Sequence, residues 1–366
     1  MRPFLAAGIG NPSAPHSLGS EARESLEAAR VKVARLVGGS APGVIFTSGA
    51  TEANNLAIRG VALRGGDRPR HIVTTAVEHI SVLNVCRDLE KAGVAVAILT
   101  VDVEGRVDPE ALRIALRPET TLVSIGAACG EIGTLQPLDD IARITRAAGV
   151  PLHVDAVGAL GRVPLIGEAM GLDLVTLSSN DLCGPPGTGA LWVKPGIKLL
   201  PQMLGGGQEG GYRSGTENLP GIVGFGVAAE LMRAEAGHGE PARLAALRDR
   251  LVDGLVVSIP DCRLTGSRTA RLPHHASFAL RGVKADGVLL DLDFCRVAAS
   301  SGSACAQQTG TPSHVLRAIG CAPQEIEGSL CFTLGRWSTA AEVDSVLDRL
   351  PPIVARLRAL ALPARR

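Results

Sequence analysis

Aromatic side chains are scarce, at 2% of the 366 residues, so the apolar mass comes from Ala, Val, Leu and Ile. No apolar run reaches the roughly 20 residues that a membrane-spanning helix needs. That argues against a membrane as partner. The opening stretch, MRPFLAAGIGNPS, has one Arg and a short apolar run, too brief for a secretory signal. An excess of one charge is also missing: Lys plus Arg number 37 and Asp plus Glu 36, for a net charge of +1. Nothing in that balance points to nucleic acid or an anionic membrane. The eight cysteines, at 86, 129, 183, 262, 295, 305, 321 and 331, contain no CxxC pair, so the strongest metal and redox signal is absent. Dispersed cysteines in a chain read as cytoplasmic are expected to be reduced and mostly buried.

What is present suits a globular protein: 46% hydrophobic and 20% charged residues, with 44 Gly and 23 Pro. The length favours two domains. Segments of strand, Gly-containing turn and helix alternate from Val44 to about Ser178. That alternation predicts a mostly parallel sheet covered on both faces, with its site at the carboxyl ends of the strands. Thr51, His79, Glu131, Asp155, Ser178 and Asp181 all fall at such ends. Residues 17–37 read as a helix, with Leu18, Leu26, Val31, Val33 and Leu36 toward a core. LDLVTL and GALWV flank the turn SSNDLCGPPG and read as a β-hairpin. The boundary is placed at 245, giving a large domain over 8–245 and a small one over 246–366 that also takes in 1–7.

Five stretches can carry chemistry, each with a plainer reading beside it. TSGATE (47–52) offers hydroxyls and amides at a helix start, either an anion cradle or a cap on Ser48 or Thr51. His79 is either catalytic or structural. Asp155 ends an apolar strand, where a carboxylate needs a cationic or N–H partner. The Gly-dense loop 205–220 brings Arg213 and Thr216 to an anion or is simply a surface loop. Cys305 lies among small residues before a helix, and an exposed thiolate there suits sulfur or acyl transfer. Packing is the alternative. Arg336 follows a strand and suits a carboxylate, or a surface ion pair.

The stretches GNPSAPHSLG, VIFTSGATEANNLAI, VEHISVLNVCRDLEKAG, HVDAVGALGRVPL, GGGQEGGYRSGTENLP, SSGSAC and SLCFTLGRWST run in order over nearly the whole chain. Together they resemble the cysteine desulfurase family, in the class V aminotransferase branch of fold type I pyridoxal-phosphate enzymes. The resemblance implies an α/β fold: a large domain with a mostly parallel seven-stranded sheet and a smaller C-terminal α+β domain. It implies that Thr51, Ser178 and, from the partner subunit of a homodimer, Thr216 hold the phosphate. His79 would stack on the ring, Asp155 pair with its nitrogen and Arg336 bind the cysteine carboxylate. Cys305 would carry sulfur as a persulfide to an iron–sulfur scaffold or other sulfur-acceptor protein.

The departures are equally specific. The family's His-Lys pair in the turn reads Asn180-Asp181, so pyridoxal phosphate is not expected as a lysine aldimine. The Asn-Asn of Asn-Asn-Glu-Ile-Gly reads Cys129-Gly130, a Gln is Gly158, a Tyr is Cys183 and an Arg of the last strand is Cys331. The family's first strand is missing, through a late start or a true loss. The leading expectation is therefore a desulfurase-like protein without standard cofactor chemistry, acting in sulfur transfer or cluster assembly through Cys305. One alternative is an active desulfurase or other lyase with noncovalent cofactor and Asp181 as base. Another is a metal or iron–sulfur site built on Cys129, Cys183 and Cys305.

Overall fold

The computed structural model describes residues 1–6, 8–65, 70–165, 167–302 and 312–361. They form two units. The first comprises Met1–Leu99, Asp108–Ala127 and Pro137–His238, the second Thr100–Val107, Ala128–Gln136 and Gly239–Arg366. The division thus falls after His238, ahead of the expected 245. The reason is local: helix Glu240–Ser258 buries Leu244, Leu251, Val252 and Leu255, and the last three join the apolar core of the second unit or its near neighbours. The leading residues, expected with the small domain, belong to the first unit, where a short turn over Arg2–Leu5 touches helix Leu219–Gly237.

In the first unit the strands are β1 (Val44–Thr47), β2 (His71–Thr75), β3 (Ala95–Leu99), β4 (Thr120–Gly126), β5 (Leu152–Asp155), β6 (Leu174–Ser178) and β7 (Gly189–Val193). The helices are α1 (Ser17–Leu36), α2 (Ala50–Ala62), α3 (Ile80–Lys91), α4 (Pro109–Ala115), α5 (Leu138–Ala148), α6 (Gly167–Met170) and α7 (Leu219–Gly237). The sheet order is β1-β7-β6-β5-β4-β2-β3, and only β7 runs against its neighbours. The expected seven-stranded, mostly parallel sheet is therefore found. Burial explains it: β1, β2, β6 and β7 are buried along their whole length, the pattern of strands covered on both faces. The hairpin is found as well, with Ser178 opposite Gly189. Helix α1 matches its expected span, and Leu26, Val33 and Leu36 are buried. Leu18 and Val31 are instead exposed, at 45% and 36%, because they flank the buried stripe rather than lie on it.

The second unit has the antiparallel sheet β10-β9-β8, from β8 (Cys262–Leu264), β9 (His275–Leu280) and β10 (Ser329–Thr333). Its helices are α8 (Glu240–Ser258), α9 (Ala285–Phe294), α10 (His314–Ala318), α11 (Pro323–Glu327) and α12 (Ala340–Ala361). Leu255, Phe278, Val288, Leu330 and Leu350 lie in one core there. No described helix is long and apolar enough to cross a membrane.

Candidate functional site

Strands β2, β4, β5 and β6 end side by side, on Thr75, Gly126, Asp155 and Ser178. Asp155 closes β5. Its Oδ1 accepts from the Val157 amide at 3.1 Å and its Oδ2 from Asn54 Nδ2 at 2.8 Å. Asn54 stands on the buried face of α2 and is fully buried. The same Nδ2 donates to Ser81 Oγ at 2.9 Å, and Ser81 Oγ lies 2.7 Å from His79 Nδ1. The directions follow by elimination. Asn54 spends both N–H groups on Asp155 and Ser81, so the Ser81 hydroxyl donates to His79 Nδ1. The Ser81 amide also donates to Nδ1, at 3.2 Å, which caps α3. A neutral His79 therefore carries its proton on Nε2, and its ring is exposed. One network thus orients the carboxylate and the imidazole together.

Glu78 lies beneath this network. Its Oε1 accepts from Thr75 Oγ1 at 2.6 Å and its Oε2 from the Gly126 amide at 2.8 Å, joining the ends of β2 and β4. Burial, reinforced by the Asp155 charge, pushes the Glu78 carboxyl up to about 8. One strand over, His153 bridges Ser124 Oγ at 2.8 Å and Thr176 Oγ1 at 3.0 Å, and burial pushes it down to about 3.

The turn after β6, the neighbour of β5, carries a second group of polar residues. Ser178 Oγ donates to Asn180 Oδ1 at 2.6 Å, and Asn180 Nδ2 donates to Asp181 Oδ2 at 2.9 Å. Arg162 Nη2 donates to the Asp181 carbonyl at 3.1 Å. Burial holds the Asp181 carboxyl above its ordinary range and the Asp155 charge adds to this, although Ser178 and Arg162 pull it back. Cys183 follows, exposed, with a left-handed φ of 60° that ends the turn. The chain's lysines are Lys32, Lys91, Lys194, Lys198 and Lys284. Within the first unit they lie away from this turn. Lys32 pairs with Glu230, Lys91 ends α3, and Lys194 pairs with Asp173 at the amino end of β6. Lys198 follows shortly after Lys194, near the far end of α2, where the Leu200 amide meets the Gly60 carbonyl.

Thr51 is exposed in the first turn of α2. The helix is capped by Gly49, not by Ser48 or Thr51 as the capping reading had it, because Glu52 takes the Ser48 amide at 2.8 Å. Glu52 also pairs with Arg213 at 2.9 Å, so Arg213 is neutralised within the chain rather than offered to an anion. Thr216 is exposed on its loop.

In the second unit, Arg336 follows β10, with its guanidinium 5.3 Å from the centroid of the Trp337 ring. Cys331 is buried on β10 with Sγ 3.1 Å from His275 Nε2, and burial pushes its thiol up to about 12. Ser300 pairs with Cys331 through both backbone bonds, at 3.1 and 2.6 Å. Cys129 is buried in a tight turn, its amide donating to Thr134 O at 2.9 Å. Burial also raises the Glu131 carboxyl. Cys305 lies outside the described residues.

Residues 1–346 match the family described as aminotransferase class-V. The chain belongs to the aminotransferase class-V family. Among relatives in this family it is 44% identical over 361 residues to cysteine desulfurase IscS 1 of Archaeoglobus fulgidus, covering 99% of this chain and 94% of the relative. To cysteine desulfurase IscS of Dictyoglomus turgidum it is 42% identical over 361 residues, covering 99% and 91%. A solved NifS-like protein superposes with a TM-score of 0.90 at 33% identity, covering 97% of this chain and 94% of the other. Asn54, Ser81 and Arg162 received no role from the sequence, yet they bond to Asp155, His79 and the Asp181 carbonyl, which did. Asn54 had a legible signal, a polar residue on the stripe of Ala53, Ala57 and Ile58. The metal reading gains no support. No group of three or more His, Cys, Asp or Glu able to hold an ion occurs among the described residues, and Cys129 and Cys183 belong to different units.

Proposed function

We propose that this chain is a sulfur-transferring member of the cysteine desulfurases that holds pyridoxal phosphate by noncovalent contacts alone. The observation that carries the reading is the hydrogen-bonded set Asp155–Asn54–Ser81–His79. A carboxylate fixed at a strand end beside an oriented imidazole suits a protonated pyridine ring, while the turn after the neighbouring strand β6 offers acid oxygens and no amine. The residues thus fit the ring and its phosphate but not a covalent tether. The names of the relatives supply the substrate class, cysteine.

When bound, the cofactor withdraws electrons from the α-carbon of an amino acid. The chain's residues do the rest. Asp155 would hold a proton on the ring nitrogen, and His79 would lie beside the ring. Thr51, Ser178 and the Thr216 of a second copy in a homodimer hold the phosphate. Arg336 receives the substrate carboxylate as a two-pronged donor. Asp181, with its carboxyl held above the ordinary range, takes and returns the α-carbon proton. The Cys305 thiolate would form a bond to the substrate sulfur as the carbon–sulfur bond breaks. The bonding pair stays with the carbon fragment, which takes up a proton and leaves as alanine. The outer sulfur of the persulfide then passes to a thiolate of an acceptor protein such as an iron–sulfur scaffold, releasing the Cys305 thiolate.

A second reading is favoured by the position of the lysines: cofactor chemistry has lapsed, and Cys305 carries sulfur delivered from elsewhere. Incubation with cysteine and pyridoxal phosphate separates the two. The first reading expects alanine to form, and Asp181→Asn to slow it by about 10²-fold or more while cofactor absorbance is retained. An absence of alanine from the unmodified protein supports the second.

A further inference from the structure

Arg336 sits in a tight turn, Gly335 to Ser338, that follows β10 in the second unit. The turn closes on itself. The Ser338 amide donates to Gly335 O at 2.9 Å, and the Gly335 amide donates to Ser338 Oγ at 3.0 Å. One side chain from far along the sequence grips this turn. Arg243, in the first turn of α8, donates from Nη1 to Ser338 O at 2.6 Å and from Nη2 to Gly335 O at 3.1 Å and Arg336 O at 3.2 Å. Glu240, three residues earlier on the helix, accepts from Nε at 2.8 Å and from Nη2 at 2.7 Å, which fixes the angle of the planar fork. Arg113 shows the plain surface case, an arginine paired with the acid three residues before it, Glu110. Three carbonyls of one turn set Arg243 apart. No cis peptide occurs among the described residues, and a trans peptide points its N–H opposite to its C=O. Gathering the carbonyls of Gly335 and Arg336 on Arg243 therefore turns the amides of Arg336 and Trp337 the other way. The partial negative charge of the turn is collected and neutralised on one side, and the positive ends of two peptides lie on the other.

We propose that Arg243 is a positioning residue for Arg336: it fixes the backbone of the turn so that a carboxylate arriving at Arg336 is not repelled by the turn's own carbonyl oxygens. The consequence for substrate binding rests on the reading of Arg336 as the partner of the substrate carboxylate. The hold on the turn does not.

The test compares Arg243→Met, Arg243→Lys, Arg336→Met and, as a control, Arg250→Met, which removes the ion pair from the same helix to Asp344. Hydrogen exchange is followed in peptides covering 334–339. Binding of L-alanine and of ethylamine, which is alanine without its carboxylate, is followed by calorimetry on protein loaded with pyridoxal phosphate. Arg243→Met is expected to speed exchange in that stretch by about tenfold, the scale of one hydrogen bond to a charged group. It is also expected to weaken alanine binding by about tenfold while ethylamine stays within about twofold. Arg243→Lys keeps the charge but not the planar fork, so it is expected to behave like Arg243→Met. Arg250→Met is expected to change neither readout. Exchange that stays within about twofold of the unmodified protein in Arg243→Met would overturn the proposal. So would full recovery in Arg243→Lys, or alanine binding that falls in Arg336→Met but not in Arg243→Met. If Arg243→Met does not fold, Arg243→Lys decides by the same two measurements. A failure of the reading of Arg336 looks different: Arg336→Met then takes alanine no differently from the unmodified protein, while exchange in Arg243→Met still rises.

Discussion

The two hydrogen-bonded walls at the carboxyl strand ends of the first unit were built to different rules. The wall of Asp155, Asn54, Ser81 and His79 is a closed relay anchored on α2, β5 and α3, and Asn54 at its centre is fully buried. The second wall is a short turn in which Ser178, Asn180 and Asp181 bond mainly to one another and Arg162 grips only a backbone carbonyl. The first wall is expensive to alter, because each member removed strands a buried partner. The second can change residue by residue at little structural cost. The comparison teaches that a buried, cross-braced polar network and a self-contained surface turn can stand side by side at the strand ends of one sheet.

The largest expected effect comes from returning an amine to the weaker wall. Asp181→Lys is expected to convert no covalent trapping of pyridoxal phosphate by borohydride into trapping at position 181, read by mass spectrometry. The same protein without trapping would mean that the turn does not face the ring. Next in size is damage to the stronger wall. Asn54→Ala removes donors to Asp155 and Ser81, so thermal or urea unfolding is expected to show a loss of about 2–3 kcal/mol and weaker cofactor binding. A loss under about 0.5 kcal/mol, the level of an ordinary surface change, would show that the relay is ornamental.

The smallest effect is in the pH dependence of stability, and its sign can be worked out. Glu78 in the folded chain keeps its proton up to about 8 against an ordinary value of 4.5. Between those values the unfolded chain has lost a proton that the folded chain retains, so stability falls as pH rises, by at most about 1.4 kcal/mol per pH unit. His153 is neutral down to about 3 against an ordinary 6.5, so its contribution is present above 6.5 and is lost as pH falls through that window. The two slopes oppose each other between 4.5 and 6.5, and the Glu78 slope stands alone from 6.5 to 8. Unfolding followed by urea at several pH values is expected to fall over that upper window. Glu78→Gln is expected to flatten it, and an unchanged slope would remove Glu78 from the account.

Much of this was legible before any coordinates. The alternation of apolar strands with Gly-ended turns and helices carries the sheet, and the polar ends carry Asp155, His79 and Ser178. The rest was hidden for physical reasons. Asn54 and Ser81 act from helix faces where spacing does not reveal the partner. Arg213 reads as an anion binder in sequence because the distant Glu52 that neutralises it is 161 residues away. Leu18 and Val31 look like core because helical periodicity gives a stripe but not its edges.

The central claim is that a coenzyme aldehyde finds no amine in this crevice. Titrating the purified protein with pyridoxal phosphate, reducing with borohydride and mapping the peptides by mass spectrometry tests it directly. The account predicts saturable binding by absorbance with no residue modified in proportion. A stoichiometric adduct on any one lysine would contradict it.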